Sequence, residues 1–459
     1  MSGRPLCVGL VGGLLPNSPV AEAALTMLKR HPSALVGIIF WLLRGRAVLQ
    51  REVTSRVPTA DARPPYRDAV LEAMRAARAE GRPVVLVSTV PKSYADPIAD
   101  ELEEIDEVVV VGGVGTEGRA PADVARALVD RFGEGGFDFV GRSSEHRVVS
   151  RSAASAEVAH GPVVSRLQVL RRTLRVHQWL KNLLIFLPAL GAQRFTDPAA
   201  MTAAVLAFVA FSLVASSVYV VNDALDLRDD RLHPTKSTRP FAAGTLRLSH
   251  APLLIIGLLG VAGTITFLLL PRAFWGTLGI YLLLTFAYSL KLKGAVLVDV
   301  LTLAGLYTLR ILAGAAATGI APSVWLLGFS LFFFFSLALV KRYAELHERV
   351  STAPAAGARL PGRGYKPRDL PVLIALGVGT GCVAVLVLAL YVISEEFAQH
   401  YRYPVLLWQL TPLLLYWIGR AWIVVARDEM HDDPVVWAVR DQMSRWVAIA
   451  ALIILLLAR

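Results

Sequence analysis

Cysteine is nearly absent from this chain: Cys7 and Cys382 are the only two in 459 residues. That excludes a disulfide framework or a thiolate metal site and fits a reducing compartment. A secretory leader is not expected either, because MSGRPLCVGLVGGLL has a short apolar part and no cleavage pattern after it. No internal repeat stands out. Acidic residues are outnumbered, 36 against 47 basic ones, which leaves a formal net charge of +11. Histidine is scarce, and none lies deep within an apolar run. What the chain has in quantity is hydrocarbon, and it is unevenly spread.

Up to about Val164 the sequence is mixed and charged. Beyond it, apolar runs long enough to cross a bilayer recur. Nine spans are expected, beginning near Trp179, Ala199, Leu253, Phe274, Val296, Val324, Leu370, Val405 and Ser444. Lys181, Asn182 and Pro188 interrupt the first, which suggests that it lines a site. Alternate loops are basic: Arg228 to Arg247, then Lys291 and Lys293, then Lys341 to Arg368, then Arg427 to Arg445. The positive-inside rule puts these loops and the N-terminal domain in the cytoplasm, in a multi-pass protein of the inner (plasma) membrane. Topology and an anionic substrate account for the basic charge, so no nucleic acid is invoked.

The second run ends in Asn222-Asp223-Ala-Leu-Asp226-Leu-Arg-Asp229-Asp230. Carboxylates so close to hydrocarbon are costly and mark a working site by default. Asn222, Asp226 and Asp230 fall at i, i+4 and i+8, with Asp223 three before Asp226, so one helical face can carry all four. Hard oxygen ligands with open positions suit Mg²⁺ held against phosphates. Arg231, His233, Lys236 and Arg239 follow, as expected if the substrate carries more negative charge than the metal cancels. The bland alternative is an acidic helix end beside a solvated loop. A second cluster argues against it: Tyr288-Ser-Leu-Lys291-Leu-Lys293, then Asp299 and Arg310 inside the next run. Those last two are eleven residues apart and can share a face, either as a structural pair or as a metal ligand and a phosphate-binding Arg. His233 and His431 are better read as hydrogen-bonded boundary residues than as bases.

Residues 1–160 read as an α/β domain, with strands at Leu6–Leu10, Val84–Ser88, Glu107–Val111 and Phe137–Val140 alternating with helical stretches. This favours a parallel, Rossmann-like sheet with helices on both faces. The Ala34–Leu43 stretch is too short to span and is expected to pack or to lie at an interface. The layout resembles the haloacid-dehalogenase-like hydrolases. Their Asp-x-Asp-Gly-Thr motif reads here Gly9-Leu-Val11-Gly12-Gly13, without either carboxylate. The strand-end Ser or Thr survives as Ser88-Thr89, the Lys is replaced near Pro121, and the last motif reads Gly141-Arg142-Ser143-Ser144-Glu145-His146. The resemblance implies a retained fold without the phosphoaspartate chemistry.

Residues 161–175 read as a linker, and 176–459 as a transmembrane bundle. Asn-Asp-x-x-Asp-x-x-x-Asp after the second span, and Tyr-Ser-x-x-Leu-Lys before a further Asp, resemble the UbiA superfamily of intramembrane prenyltransferases. Gln178-Trp179-Leu-Lys181-Asn182, His233-Pro-Thr-Lys236 with Arg239-Pro-Phe-Ala-Ala-Gly244, and Lys341-Arg342-Tyr343-Ala-Glu345-Leu are similar to its decaprenyl-phosphate phosphoribosyltransferase branch. The fused first domain and the loop Asp428-Glu-Met-His-Asp-Asp433 depart from that branch.

The resemblance implies that Asn222, Asp223, Asp226, Asp230 and Asp299 hold Mg²⁺, or Mn²⁺ in its place, with Asp223, Asp226 and Asp299 catalytic. It further implies that Lys181, Asn182, Asn222, Lys236, Arg239, Tyr288, Lys293, Arg310, Lys341 and Arg342 bind substrate. The expected reaction moves 5-phosphoribose from phosphoribosyl pyrophosphate to a polyprenyl phosphate. Prenylation of an aromatic or other small acceptor from a polyprenyl diphosphate is the alternative, and a transporter or lipid scaffold a different class. The expected partners are a polyprenyl lipid and a diphosphate-bearing donor, with room for an oligomer. Deleting about the first 160 residues is expected to leave the chemistry intact.

Overall fold

The short apolar runs of the N-terminal third become strands because continuous Val and Leu suit a sheet buried on both faces. They are β1 (Leu6–Gly9), β2 (Val84–Ser88), β3 (Glu107–Val110), β4 (Asp138–Gly141) and β5 (Ser155–Val158). All pair in parallel in the order β3-β2-β1-β4-β5, with Val8 opposite both Leu86 and Val140. Sequence alone does not announce β5: Ser-Ala-Glu-Val alternates between exposed and half-buried positions. An edge strand can afford that pattern.

Helices α1 (Pro19–Arg30), α2 (Ala34–Leu43), α3 (Arg46–Thr54), α4 (Asp68–Ala79), α5 (Lys92–Glu101), α6 (Pro121–Phe132) and α7 (Ser143–Val149) accompany the sheet. Side-chain alternation divides them between its faces. Leu6, Val8, Val84 and Leu86 pack with Val20 and Met27 of α1, Val70 and Met74 of α4 and Ile98 of α5. Cys7, Val85 and Val87 turn the other way, onto Val124 and Leu128 of α6 and Val149 of α7.

The computed structural model describes residues 3–57, 65–111, 121–159, 164–233, 235–352, 363–394, 401–430 and 433–458. Its contacts divide the chain into two compact units. One joins Met1–Arg175 with Tyr219–Gly257; the other joins Val176–Val218 with Leu258–Arg459. The segment carrying the acidic row therefore belongs with the N-terminal residues.

The apolar remainder is helical: α8 (Arg166–Thr173), α9 (Leu187–Gly191), α10 (Pro198–Leu225), α11 (Leu227–Leu232), α12 (Ala251–Leu269), α13 (Arg272–Leu290), α14 (Val298–Thr318), α15 (Val324–Thr352), α16 (Leu370–Ile393), α17 (Leu410–Ala426), α18 (Pro434–Arg440) and α19 (Gln442–Ala458). Among the described residues, seven helices are long and apolar enough to cross a membrane. An eighth is added if α18 and α19, bent by 79°, form one span.

The expected nine are thus reduced to seven or eight: the span expected from Trp179 is lost, and the one expected from Ser444 is a helix of a bent pair. The Trp179 segment forms a 3-10 turn series over Val176–Phe186 followed by the five-residue α9. Asn182 is buried there and takes part in side-chain hydrogen bonds, and Pro188 falls at the start of α9. This segment packs against α14 at Gly314, where a Cβ would lie 2.0 Å from the Ile185 carbonyl oxygen. Gly377 plays the same part between α16 and α17, since a Cβ there would sit 1.9 Å from the Trp422 ring. Small residues at such crossings let helices approach without a side chain between them.

Candidate active site

Four groups of polar residues stand out. The first is the acidic row. The backbone stays helical through the break at Asp226, whose amide bonds to Asn222 O at 2.8 Å, while that of Asp230 bonds to Asp226 O at 2.9 Å. The residues nevertheless divide. Asp223 and Asp230, seven apart and so nearly eclipsed on a helix, both turn to Arg239, whose Nη1 lies 3.1 Å from Asp223 Oδ1 and 2.7 Å from Asp230 Oδ2. Arg175 also donates to Asp223, from a backbone with φ of 48° and with its guanidinium over the Tyr219 ring.

Asp226 faces elsewhere. Together with Asp229 it receives Lys29 Nζ of α1, at 2.7 Å in each case. Arg231 donates to both oxygens of Glu22, one turn-pair earlier on the same helix, at 2.8 and 2.5 Å. Asn222 is half-buried, and Lys236 is exposed in a turn. Burial, partly offset by Arg239, raises the carboxyl of Asp230 above the ordinary range. Burial would lower Lys29, but its bonds to Asp226 and Asp229 outweigh this and raise it.

The second group surrounds Asp299 in the first turn of α14, where the helix dipole favours a carboxylate. Asp299 and Arg342 are fully buried, and Arg342 Nε approaches Asp299 Oδ2 to 2.8 Å without hydrogen-bond alignment. Tyr365 donates to Asp299 Oδ1 at 2.6 Å and accepts from the Leu297 amide at 2.9 Å. Glu345 completes the set, accepting from Arg342 and lying 3.4 Å from Arg363, which also donates to Tyr288 at 3.1 Å. Burial and the bond to Asp299 push the Tyr365 hydroxyl well up. Lys293 is half-buried in the turn before α14.

The third group is centred on Asp433, whose Oδ2 receives Lys181 at 2.8 Å and Lys341 at 3.0 Å. Its Oδ1 caps α18 through the Val435 amide. Burial works against the Asp433 carboxylate, yet the two ammonium groups overcome it and hold its pKa well below the usual range. The fourth group is Arg310, which donates to Asn182 Oδ1 at 2.8 Å and Leu306 O at 2.5 Å. Its guanidinium lies 5.2–5.5 Å from the rings of Phe211, Tyr281 and Tyr307.

Asp299 and Arg310 are thus not a pair. Three turns of α14 separate them, and each has its own partners. Sequence reasoning missed Tyr365 and Arg363 as functional candidates. The only signal for them was an aromatic set among basic residues in Arg363-Gly-Tyr365-Lys-Pro. Asp433 ends the loop in which this chain departs from the phosphoribosyltransferase branch, and its capture of two lysines follows from tertiary packing. His431 and Asp432 lie outside the described residues.

The donor chemistry of the acidic row suits a hard divalent cation. Asp223 and Asp230 already share one cationic group, Arg239, so their spacing admits a bridging positive charge. Among the described residues, no three carboxylate, imidazole or thiol groups are gathered to close a metal shell by themselves. Magnesium commonly takes one or two carboxylates and fills its shell with water and substrate phosphate, so the residues fit that mode of binding.

Membrane-length helices carrying buried carboxylates and cations define an integral membrane protein with a polar site in its helical region. The chain belongs to the UbiA prenyltransferase family, whose profile matches residues 183–457, and is a membrane transferase of that family. A protein of Sinorhizobium fredii, "Uncharacterized protein y4nM", is 33% identical across 96% of this chain and 89% of its own length. "Nodulation protein NoeC" of Azorhizobium caulinodans is 36% identical over 59% of this chain and 86% of its own. Decaprenyl-phosphate phosphoribosyltransferase of Mycobacterium tuberculosis is 34% identical over 44% of this chain and 68% of that enzyme. The solved UbiA homolog of Archaeoglobus fulgidus bound to GPP and Mg²⁺ superposes with a TM-score of 0.48 at 17% identity, over 62% of this chain and 99% of that one.

Proposed function

We propose that this protein transfers a 5-phosphoribosyl group from phosphoribosyl pyrophosphate to a polyprenyl phosphate, releasing pyrophosphate. The observation that carries this reading is the convergence of Lys181 and Lys341 on a single carboxylate oxygen of the half-buried Asp433. Two ammonium groups that share one oxygen suit a phosphate group, as charge-assisted bonds to phosphate oxygens require. The partial identity to the mycobacterial phosphoribosyltransferase supports the same choice.

In this reading Asn222, Asp223, Asp226 and Asp230 would hold Mg²⁺, which when bound neutralises charge developing on the departing diphosphate. Lys236, Arg239 and Lys293 orient the diphosphate, while Lys181 and Lys341 take the ribose 5-phosphate. Arg342 and Tyr288 keep Asp299 and Arg363 in place, and Arg310 fixes Asn182. The C1–oxygen bond to pyrophosphate breaks with its electron pair leaving on pyrophosphate, and an oxygen of the lipid phosphate bonds to C1. The nucleophile is already an anion, so no strong base is needed. Stabilisation of charge by pre-placed groups supplies most of the barrier reduction.

The alternative, transfer of an isoprenoid from a polyprenyl diphosphate, draws on the rings of Phe211, Tyr281 and Tyr307 around Arg310, an aromatic lining suited to an allylic tail. Purified protein offered labelled phosphoribosyl pyrophosphate or labelled polyprenyl diphosphate decides between them. Consumption of the sugar donor with a lipid phosphate supports the first, and consumption of neither sinks both.

We assign residues 1–160 to a degenerate haloacid-dehalogenase-like domain on the cytoplasmic side of the inner membrane. Gly9-Leu-Val11 stands where the nucleophile would be, and Arg142 packs against Gly12 and pairs with Glu145 at 2.8 Å. The Ser88 hydroxyl is bonded to its own loop at Val90 O. Burial pushes the Cys7 thiol up to about 12, which removes the remaining nucleophile on β1. The full chain should release no phosphate from a generic aryl phosphate.

A further inference from the structure

We propose that α2 is an interfacial membrane anchor, its outer face seated among the headgroups and upper acyl chains of the bilayer that the chain's own helices span. The helix reads Ala-Leu-Val-Gly-Ile-Ile-Phe-Trp-Leu-Leu, without a charged residue. Ala34, Ile38 and Trp41 share one face and pack on the α/β core. The remaining large side chains point away from it: Val36 is 75% exposed and Leu43 82%, with Leu35, Ile39, Phe40 and Leu42 each about half exposed. An apolar surface this continuous marks an interaction site on a soluble domain. Ten residues make a rod of about 15 Å, half the hydrocarbon thickness, so α2 lies in the surface rather than crossing.

The charge around it selects lipid as the occupant. Between Glu22 and Glu52 the chain holds no carboxylate, whereas Arg30, Arg44, Arg46 and Arg51 fall in that interval, besides Lys29, which Asp226 and Asp229 engage. Arg44 lies over the Phe40 ring, 4.1 Å from its centroid, so cation and aromatic face form one surface at the end of the helix. Basic residues beside a large apolar face favour an anionic membrane surface. Position agrees, and within a single compact unit. Helix α1 is bound to the loop that leaves α10: Glu22 holds Arg231 and Lys29 holds Asp226 and Asp229. Asn17, just before α1, accepts from the Leu248 amide at the start of the next membrane-length helix. That loop lies where two helices leave the hydrocarbon. Only residues 31–33 separate α1 from α2, at most roughly 14 Å of chain.

The test uses the full chain with Cys382→Ser, because Cys7 is buried and unreactive to label. Single cysteines at Val36, Leu43, Leu283 or Glu134 carry an environment-sensitive fluorophore, in phosphatidylethanolamine–phosphatidylglycerol vesicles with or without brominated acyl chains. Leu283 is exposed on a membrane helix and reports lipid; Glu134 is exposed on the α/β domain and reports water. Emission at Val36 and Leu43 should fall about twofold with brominated lipid, as at Leu283, and Glu134 should not respond. If Val36 and Leu43 behave like Glu134 while Leu283 is quenched, the anchor is wrong. Energy transfer between copies labelled at Val36, without lipid quenching, overturns it too and assigns the face to a second chain.

Discussion

Two carboxylates with cationic partners, Asp299 with Arg342 and Asp226 with Lys29, illustrate opposite uses of an ion pair. Asp299 and Arg342 are wholly excluded from solvent, and Tyr365, Arg363 and Glu345 occupy the space around them. The acidic row grades outward instead: Asp223 is buried, Asp226 is a third exposed and Asp229 mostly exposed, with Lys29 reaching in from α1. A buried pair is costly to leave half-made, whereas an exposed one contributes little. The first is therefore fixed architecture. The second is open to exchange one cation for another, as a metal–diphosphate site requires.

The sharpest way to break this comparison is to remove the row itself. Asp223→Ala or Asp226→Ala should abolish turnover, the more exposed Asp226→Ala with little change in melting temperature, and EDTA should stop turnover by the wild type until Mg²⁺ or Mn²⁺ is restored. Retained activity in either variant removes the metal role. Next in size, Arg342→Met should cost roughly 3–5 kcal/mol by stranding Asp299, read as a lowered unfolding midpoint in detergent. An unchanged midpoint would mean that the cluster is not architectural.

Asp433→Asn should cost about 2 kcal/mol at neutral pH through its charged hydrogen bonds. Asp433 is held low in the folded chain and titrates near 3.9 unfolded. Its contribution is thus complete above that pH and disappears as pH falls through the lower, folded value. The acid limb of the wild-type stability curve should carry this loss, and the variant should lack it. Smallest of all, Lys29→Ala should change stability by less than about 1 kcal/mol, because the pair is well exposed. If it instead destabilises as much as Arg342→Met, the acidic row is as rigid as the Asp299 cluster and the contrast disappears.

The relation between the N-terminal residues and the acidic loop also revises an expectation. Separate domains joined by a linker imply that the first 160 residues can be removed without harm to the chemistry. Glu22, Lys29 and Asn17 instead hold Arg231, Asp226 and Leu248. Truncation should therefore loosen the loop that carries the proposed metal ligands, seen as a raised Mg²⁺ requirement.

Periodicity and hydropathy alone determined four of the five parallel strands, seven of the nine expected spans, and the acidic row with its helical spacing. These depend on local geometry and on the length of hydrocarbon, which a linear pattern carries directly. Tertiary structure decided which cation meets which carboxylate: Lys29 for Asp226, Arg342 for Asp299, two lysines for Asp433. Pairing of charges distant in sequence is set by the packing of apolar surfaces elsewhere, and no local pattern encodes it. The broken segment from Val176 shows the same division, since its hydropathy promises a span until Asn182 finds Arg310 and Gly314 lets Ile185 against α14.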